Sequence, residues 1–426
     1  MKAVVLAAGK GDRLQPITAT RPKHLIQVGG KEILEHCFDA LKSVGVTEVV
    51  VVTHYMGDAI REYFGNGERL GLKIVYVEQA EMLGTGDAVS VVEPYVDGDF
   101  VLVYGDLLFA PEALADVVRL YEAEKPAAVM AVVPVEKPES YGVVELENDK
   151  FVKRVVEKPA VGEAPSNLAN AGLYVFSKEV FDVLRRTKAS VRGEWELTDA
   201  VSLFAADGKA VLASRVSKDD WIDIGRPWDL LEANSWALKR MEHRVFGAVE
   251  QGAHLVGPVT VAESARVRSG AYIEGPCFIG EGCDVGPNCY IRSCTSLGRN
   301  VRVGNACEVK NSIVMDGTHV GHLSYVGDSI LGERCNLAAG TVTANLRLDD
   351  GHVKMVVKGK VVDSGRRKLG AVLGDEVKTG INALFMPGVK VGAGSWIGAN
   401  FTVHRDVPVD TFVQLKQDED QRKKST

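Results

Sequence analysis

The chain has 426 residues, with 50 Lys and Arg against 57 Asp and Glu and a formal net charge of −7. At roughly 150 residues per domain, two or three domains are expected, each large enough to bury its own core. Apolar residues at 46% and charged residues at 25% exclude a disordered chain, and the small net charge excludes a general binder of nucleic acid or of membrane surfaces. Gly, at 44 residues, exceeds the usual ~7% of a chain and needs a cause.

No run approaches the ~18 consecutive apolar residues of a membrane span. The opening MKAVVLAAGKGDR has a short apolar run that Lys10, Asp12 and Arg13 end too early for a signal peptide, so it reads as a first buried strand. The seven Cys include no C-x-x-C pair. They match neither a disulfide framework nor a zinc ribbon and point to a reducing, cytoplasmic setting.

From Met1 to about Gly225 strands alternate with helices. KAVVLAAG (2–9) is a buried strand, KEILEHCFDALKSVG (31–45) has helical spacing, and TEVVVVTH (47–54) is the next strand, followed by a short helix near GDAIREYF. KIVYVEQ (73–79), DFVLVYGD (99–106) and AAVMAVVPV (127–135) continue the series, with a Pro-started helix over 111–125 between the last two. YGVVELENDKFVKRVVEKP (141–159) reads as paired strands turning at Asn148–Asp149. Apolar strands separated by amphipathic helices predict a mostly parallel, Rossmann-like α/β sheet. Ligands bind outside the carboxyl ends of such strands.

At the end of the first strand stand Gly9-Lys10-Gly11-Asp12-Arg13-Leu14. Two glycines let backbone N–H groups approach phosphates, and Arg13 adds charge. Leu14 occupies the third-Gly position of a dinucleotide fingerprint, which disfavours an NAD site, and there is no G-K-[ST] P-loop. Lys23 adds a second cation nearby. Asp106 ends one strand and Asp223 lies beyond another, so both carboxylates can share one Mg²⁺ with phosphates. The plain alternative for each charged residue is a solvated loop position.

LAAGKGDRLQPITATRPKHL (6–25), VEQAEMLGTGDAV (77–89), YGDLLF (104–109), YGVV (141–144), VEKP (156–159), NAGLYVF (170–176) and WIDIGRPWD (221–229) follow in order. Together they resemble the sugar-1-phosphate nucleotidylyltransferases across nearly the whole first half. The resemblance implies in-line attack of a sugar-1-phosphate oxygen on the α-phosphorus of UTP or dTTP, with pyrophosphate leaving. Positioning and electrostatic stabilisation carry such chemistry. By resemblance Asp106 and Asp223 hold Mg²⁺, and Arg13 and Lys23 are the catalytic cations. Leu6, Ala8, Gly9, Gly11, Gln79 and Gly84 bind the nucleotide, the last two facing the pyrimidine. Lys158 takes the sugar phosphate, Glu157 and Asn170 bond sugar hydroxyls, and Gly142 leaves room beside the ring. The signature resembles thymidylyltransferases as much as uridylyltransferases, so base choice stays open.

RPWDLLEANSWALKRMEHRV (226–245) is a helix-like stretch leading into a different period. Positions 255, 261, 267, 273, 279, 285, 291, 297, 303 and 309 are all aliphatic, and Gly follows at 280, 286, 298 and 304. The register slips near 314, continues at Val314, Val320 and Val326, and returns at Leu373, Val391, Ile397 and Val403. A hexapeptide period predicts a parallel β-helix, three hexads to a coil. Cys277, Cys283, Cys289 and Cys307 share one column with Ala265, Ala271, Thr295 and Val301. That column suits small core residues better than a metal cluster.

This half resembles the left-handed hexapeptide-repeat proteins, which implies a homotrimer. Gly321-His322-Leu323-Ser324-Tyr325-Val326-Gly327-Asp328, Asn336 to Thr341 and Thr343-Ala344-Asn345 resemble the acetyltransferase domain of bifunctional N-acetylglucosamine-1-phosphate uridyltransferases, in an archaeal-like form. By resemblance His322 is the general base, a role that suits imidazole near neutral pH. Arg292 and Lys310 hold phosphate, Tyr325 and Asn336 place the amino sugar, and Ala339 and Asn345 lie by acetyl-CoA. The pair His319 and His322 also admits a metal reading.

Residues 345–370 interrupt the hexads with a hairpin expected around Lys358-Gly359-Lys360 and a basic cluster at Arg366, Arg367 and Lys368. The cluster can meet the phosphates of coenzyme A or be a solvated loop. The expected organisation is a nucleotidyltransferase domain over 1–227, a linker helix over 228–250, a β-helix acetyltransferase domain over 251–412 and a charged, disordered tail over 413–426. Expected partners are UTP or dTTP, sugar-1-phosphates and acetyl-CoA, with no nucleic acid and no membrane. The alternative reading is a monofunctional nucleotidylyltransferase whose β-helix only trimerises or regulates.

Overall fold

Lys2–Ala7 forms a strand buried on both faces, paired in parallel with Glu48–Thr53 on one side and Phe100–Tyr104 on the other. The computed structural model describes residues 1–190 and 192–416. These fall into two units: Met1–Gly11, Arg21–Ile26 and Lys31–Gly225 form the first, while Asp12–Thr20, Gln27–Gly30 and the chain from Arg226 form the second.

In the first unit, strand residues alternate between two cores, one on each face of the sheet. Ala3, Val5, Val49, Val51, Val101 and Val103 enter one, and Val4, Val50, Val52, Phe100 and Leu102 the other. This is the period-two signature of a sheet covered on both sides. The sheet has nine strands. Lys73–Glu78, Glu48–Thr53, Lys2–Ala7 and Phe100–Tyr104 are parallel neighbours, so their carboxyl ends share one edge. Beyond them the sheet is mixed, because Leu168–Phe176 runs antiparallel to both Phe100–Tyr104 and Ala128–Pro134. The chain between Ala128–Pro134 and Leu168–Phe176 forms a hairpin and no helix longer than one turn, whereas a parallel return is usually made by a crossover helix. The predicted hairpin forms from Gly142–Glu147 and Phe151–Glu157. Asn148 and Asp149 turn it with φ of 51° and 61°, values these residue types tolerate.

In the second unit the helix Pro227–Lys239 is shorter than the expected linker. Arg244–Val245 and Ala248–Val249 already pair with Thr260–Val261 and Arg266–Val267. Val249 stands one hexad before Leu255, so the repeat reaches back past the expected boundary. From there the chain winds as the expected left-handed parallel β-helix, with three parallel ladders of 8, 9 and 8 strands. The aliphatic column occupies the interior; Val261, Val267, Ile273 and Ile279 are all fully buried. The rung Leu297↔Val314 is one residue shorter than Ile279↔Leu297, which is the register slip seen in the sequence.

The Cys column also faces inward. Cys277, Cys283, Cys289 and Cys307 are buried, and the Cys283 thiol lies 2.9 Å from the Gly298 carbonyl. Burial pushes the Cys283 and Cys289 thiols up to about 12, so these are packing residues rather than thiolate ligands. Lys354–Val357 and Lys360–Asp363 form the expected hairpin, with Lys358 and Gly359 at positive φ. Val353, Met355 and Val357 are buried, and Arg367 is paired with Asp350 at 2.7 Å. Strand pairing continues to Val413, which pairs with Ile397; the remainder of the expected tail, 417–426, lies outside the described residues. No helix among the described residues is long and apolar enough to cross a membrane.

Candidate active sites

At the carboxyl edge of the parallel strands lies a cleft of about 250 Å³. It is lined by Leu6, Ala8, Gly9, Lys23, Gln79, Gly84 and Asp106 from the sequence motifs, joined by Met82, Thr85, Ala88, Tyr104 and Glu194. Leu6 to Gly9 leave the central strand directly into the cleft, which places backbone N–H groups at its wall. The Lys23 ammonium is ion-paired with the Asp106 carboxylate. Burial opposes ionisation of Asp106, but Lys23 outweighs it and holds the carboxyl below its ordinary range. The adjacent His24 is fully enclosed; burial first, then the Lys23 charge, lowers its pKa to about 3, so it is neutral.

Asp223 reaches the same edge through a two-stranded antiparallel ribbon, Trp221–Asp223 with Leu107–Phe109. Asp223 pairs with Leu107, and the Ile224 N–H donates to the Asp106 carbonyl at 3.3 Å. The backbone segments that carry Asp106 and Asp223 are thereby joined.

Gln79 is 3% exposed. Its amide nitrogen donates to the Gly84 carbonyl at 3.1 Å and to Asp87 Oδ2 at 2.8 Å. Both amide protons are thus committed within the protein, and Oε1 is the atom left to meet a base. Gly84 has φ of +115°, and a Cβ there would run into the Trp195 backbone; Trp195 N–H donates to Leu83 O and Gly86 N–H to Trp195 O, each at 2.7 Å. Sequence reasoning missed this Trp195 loop, whose contacts are made far along the chain.

Glu157 and Gly142 are register partners in the hairpin. The space beside Gly142 is taken by Glu157 itself, since a Cβ would lie 2.7 Å from Glu157 Oε2. Burial raises the Glu157 pKa against the pull of Lys158 and Arg192. Arg192 also escaped the sequence reading; it lies 3.3 Å from Glu157, 3.1 Å from Glu194 and 3.1 Å from Glu196. Lys158 is 3.8 Å from Glu157. Asn170 accepts from Gly172 N–H at 2.9 Å and lies within hydrogen-bond reach of the Tyr104 phenol. Gly11 belongs to this unit with φ of +70°, whereas Arg13 is exposed on Asp12–Leu14, which belongs to the second unit.

In the second unit the ladder Tyr272, Tyr290, Glu308, Tyr325, Val342 runs up one face. A shallow cavity of about 510 Å³ opens on it, lined in part by Tyr290, Glu308, Leu323 and Tyr325. Arg292 is paired with Glu308 at 2.9 Å. Lys310 is paired with Asp328 at 2.9 Å, and Asn345 Nδ2 donates to the Tyr325 hydroxyl at 3.1 Å and to Asp328 at 2.5 Å. Lys310, Tyr325 and Asn345 therefore converge, and Asp328, to which the sequence reading gave no role, joins them. His322 is exposed in the turn just before this strand, its carbonyl accepting from Ser324 and from Gly340 N–H. Asn336 is on the neighbouring face, stacked between His319 and Lys378, and Ala339 is in the turn above it, so one chain does not gather these two around Tyr325.

A family model described as nucleotidyl transferase matches residues 2–240, and one described as GMPPB C-terminal domain matches 273–384. The chain is 44% identical to a protein of Methanocaldococcus jannaschii named bifunctional protein GlmU, over 98% of both chains. Identity is 47% to a protein of the same name from Methanococcus maripaludis, again over 98% of each. It is 39% to a bifunctional sugar-1-phosphate nucleotidylyltransferase/acetyltransferase of Sulfurisphaera tokodaii, over 97% of this chain and all of the other. Among solved structures, a putative glucose-1-phosphate thymidylyltransferase from Bacillus anthracis superimposes with TM-score 0.51 at 30% identity, covering 56% of this chain and 95% of that one.

Proposed function

The chain belongs to the nucleotidyl transferase family, in its bifunctional nucleotidylyltransferase/acetyltransferase branch, and on that premise we propose that it carries out two consecutive steps of nucleotide-sugar synthesis. The second unit transfers acetyl from acetyl-CoA to glucosamine-1-phosphate. The first joins the resulting sugar-1-phosphate to UTP or dTTP and releases pyrophosphate. The chain works in the cytoplasm as a homotrimer.

In the first unit the backbone after Leu6 and the ammonium of Lys23 receive the triphosphate. Gln79 Oε1 accepts from the imide N–H that uracil and thymine share. Glu157 and Asn170 orient the sugar, and Lys158 its phosphate. Attack by the sugar phosphate oxygen forms one P–O bond at the α-phosphorus as the bond to pyrophosphate breaks. Asp106 and Asp223, on backbone segments that the ribbon joins, are carboxylates, a donor type that fits Mg²⁺. Bound there, the ion would supply charge neutralisation to the phosphates.

In the second unit His322 takes the proton of the sugar ammonium. The freed amine attacks the thioester carbonyl, a C–N bond forms, the C–S bond breaks and coenzyme A leaves. Arg292 holds the sugar phosphate; its exposed pair with Glu308 is weak and yields to an anion. Tyr325 and Asn345 complete the site within one chain.

The observation that supports acetyl transfer over a purely structural β-helix is the convergence of Lys310, Tyr325, Asp328 and Asn345 beside the His322 turn. The deciding experiment supplies purified chain with glucosamine-1-phosphate, acetyl-CoA, UTP and Mg²⁺. A UDP-linked N-acetylated sugar is expected, and a product that forms only from added N-acetylated sugar phosphate would overturn the two-step reading.

A further inference from the structure

Asp328 is 2% exposed and sits in the wall of the β-helix. A carboxylate this deeply buried needs full compensation. It receives three side-chain donors: Lys310 at 2.9 Å, Asn311 Nδ2 at 2.7 Å and Asn345 Nδ2 at 2.5 Å. The consequence falls on Asn345. One of its amide protons goes to Asp328 and the other to the Tyr325 hydroxyl, so its Oδ1 is available only as an acceptor. Tyr325 accepts from that amide and keeps its own proton to donate. Burial, then the Asp328 charge, raises the Tyr325 pKa, which keeps that proton in place. The geometry leaves no slack: a Cβ on Gly327 would overlap both Tyr325 Oη and Asn345 Nδ2.

We propose that Asp328 is a positioning residue for acetyl transfer: without touching substrate, it fixes Asn345, and through it Tyr325, as an adjacent acceptor and donor for the amino end of the sugar phosphate. A neutral amide at 328 cannot do this. It carries one acceptor oxygen where three donors converge, and its own NH₂ faces other donors. This inference rests on the acetyltransferase reading above.

The test measures coenzyme A release from acetyl-CoA and glucosamine-1-phosphate for wild type, Asp328→Asn, Asn345→Ala and the double variant, with pyrophosphate release by the first unit as the folding control. Misplacement of a positioned group by an ångström costs about 100-fold in rate, so kcat of Asp328→Asn is expected to fall about that much. The KM for acetyl-CoA is expected to stay unchanged. Because Asp328 acts through Asn345, the double variant is expected to be no slower than Asn345→Ala alone. Additive losses, or an unchanged kcat in Asp328→Asn, overturn the proposal while leaving acetyl transfer standing; a wild type that releases no coenzyme A overturns both. If Asp328→Asn does not fold, Gly327→Ala displaces the same two groups with the carboxylate intact. Its kcat is expected to fall, and wild-type kcat in that variant overturns the proposal.

Discussion

Asp223 pairs with Leu107 across a short antiparallel ribbon, and the Ile224 N–H donates to the Asp106 carbonyl at 3.3 Å, so the backbone that carries Asp223 is joined to the backbone that carries Asp106. Neither strand belongs to the nine-stranded sheet. The ribbon joins the two chain segments outside that sheet. Asp223→Asn is expected to lower kcat for pyrophosphate release by roughly 10²–10³, the cost of removing one preorganised electrostatic partner. Coenzyme A release should be unaffected. A loss of both activities together would mean that the substitution acts through folding.

Gly84→Ala is expected to weaken nucleotide binding and to lower the melting temperature of the first unit. The new Cβ must sit at φ +115° against the Trp195 backbone, a conformation that costs about 1–3 kcal/mol. Thermal melts with and without UTP measure it. An unchanged melt and an unchanged nucleotide KM would show that the Trp195 loop gives way freely.

Gln79 offers a base only its Oε1, because Gly84 O and Asp87 take both amide protons. Uracil and thymine donate from N3, whereas cytosine N3 is an acceptor. CTP is therefore expected to be used at least ~10²-fold less efficiently than UTP, since a buried acceptor would be left unpaired. Competition between the two nucleotides at fixed sugar phosphate gives the ratio of kcat/KM directly.

Glu157 has its pKa raised, chiefly by burial. The native state then holds this proton to a higher pH than the unfolded chain, so ionisation costs stability as pH rises from the ordinary ~4.3 through the folded value. Below that window the cost is absent, and above it the cost is fully present. Relative to wild type, Glu157→Gln is expected to gain melting temperature as pH rises across the window, while losing sugar-phosphate affinity. A difference in melting temperature that does not vary with pH would contradict this.

Local pattern made much of the fold readable. The period-two strands from Lys2, the Asn148–Asp149 turn and the hexad column from Val261 each encode their own conformation within a few residues. The hairpin at Lys358–Gly359 was readable for the same reason. The helix after Pro227 was read too long because its apolar spacing continues through Val245 into the first hexad, and no glycine stands between Lys239, where the helix ends, and Val245. Site residues carried by motifs, such as Gly9, Lys23, Gln79 and Asp106, meet in one cleft. Arg192 and the Trp195 loop were not legible, because their contacts with Glu157 and Gly84 are made only by tertiary folding. Asp328 was not legible either: a hexad-turn aspartate reads as solvated until its three donors are seen. Asn336 shares a motif with Tyr325, yet winding puts it on the next face of the coil.

The most direct test of two activities in one chain is free thiol release from acetyl-CoA and glucosamine-1-phosphate, in wild type and in His322→Ala. Wild type is expected to release coenzyme A in step with N-acetylation. His322→Ala is expected to lose at least ~10²-fold of that rate while still releasing pyrophosphate normally. Thiol release by wild type no faster than by His322→Ala would contradict the account and leave the β-helix a structural module.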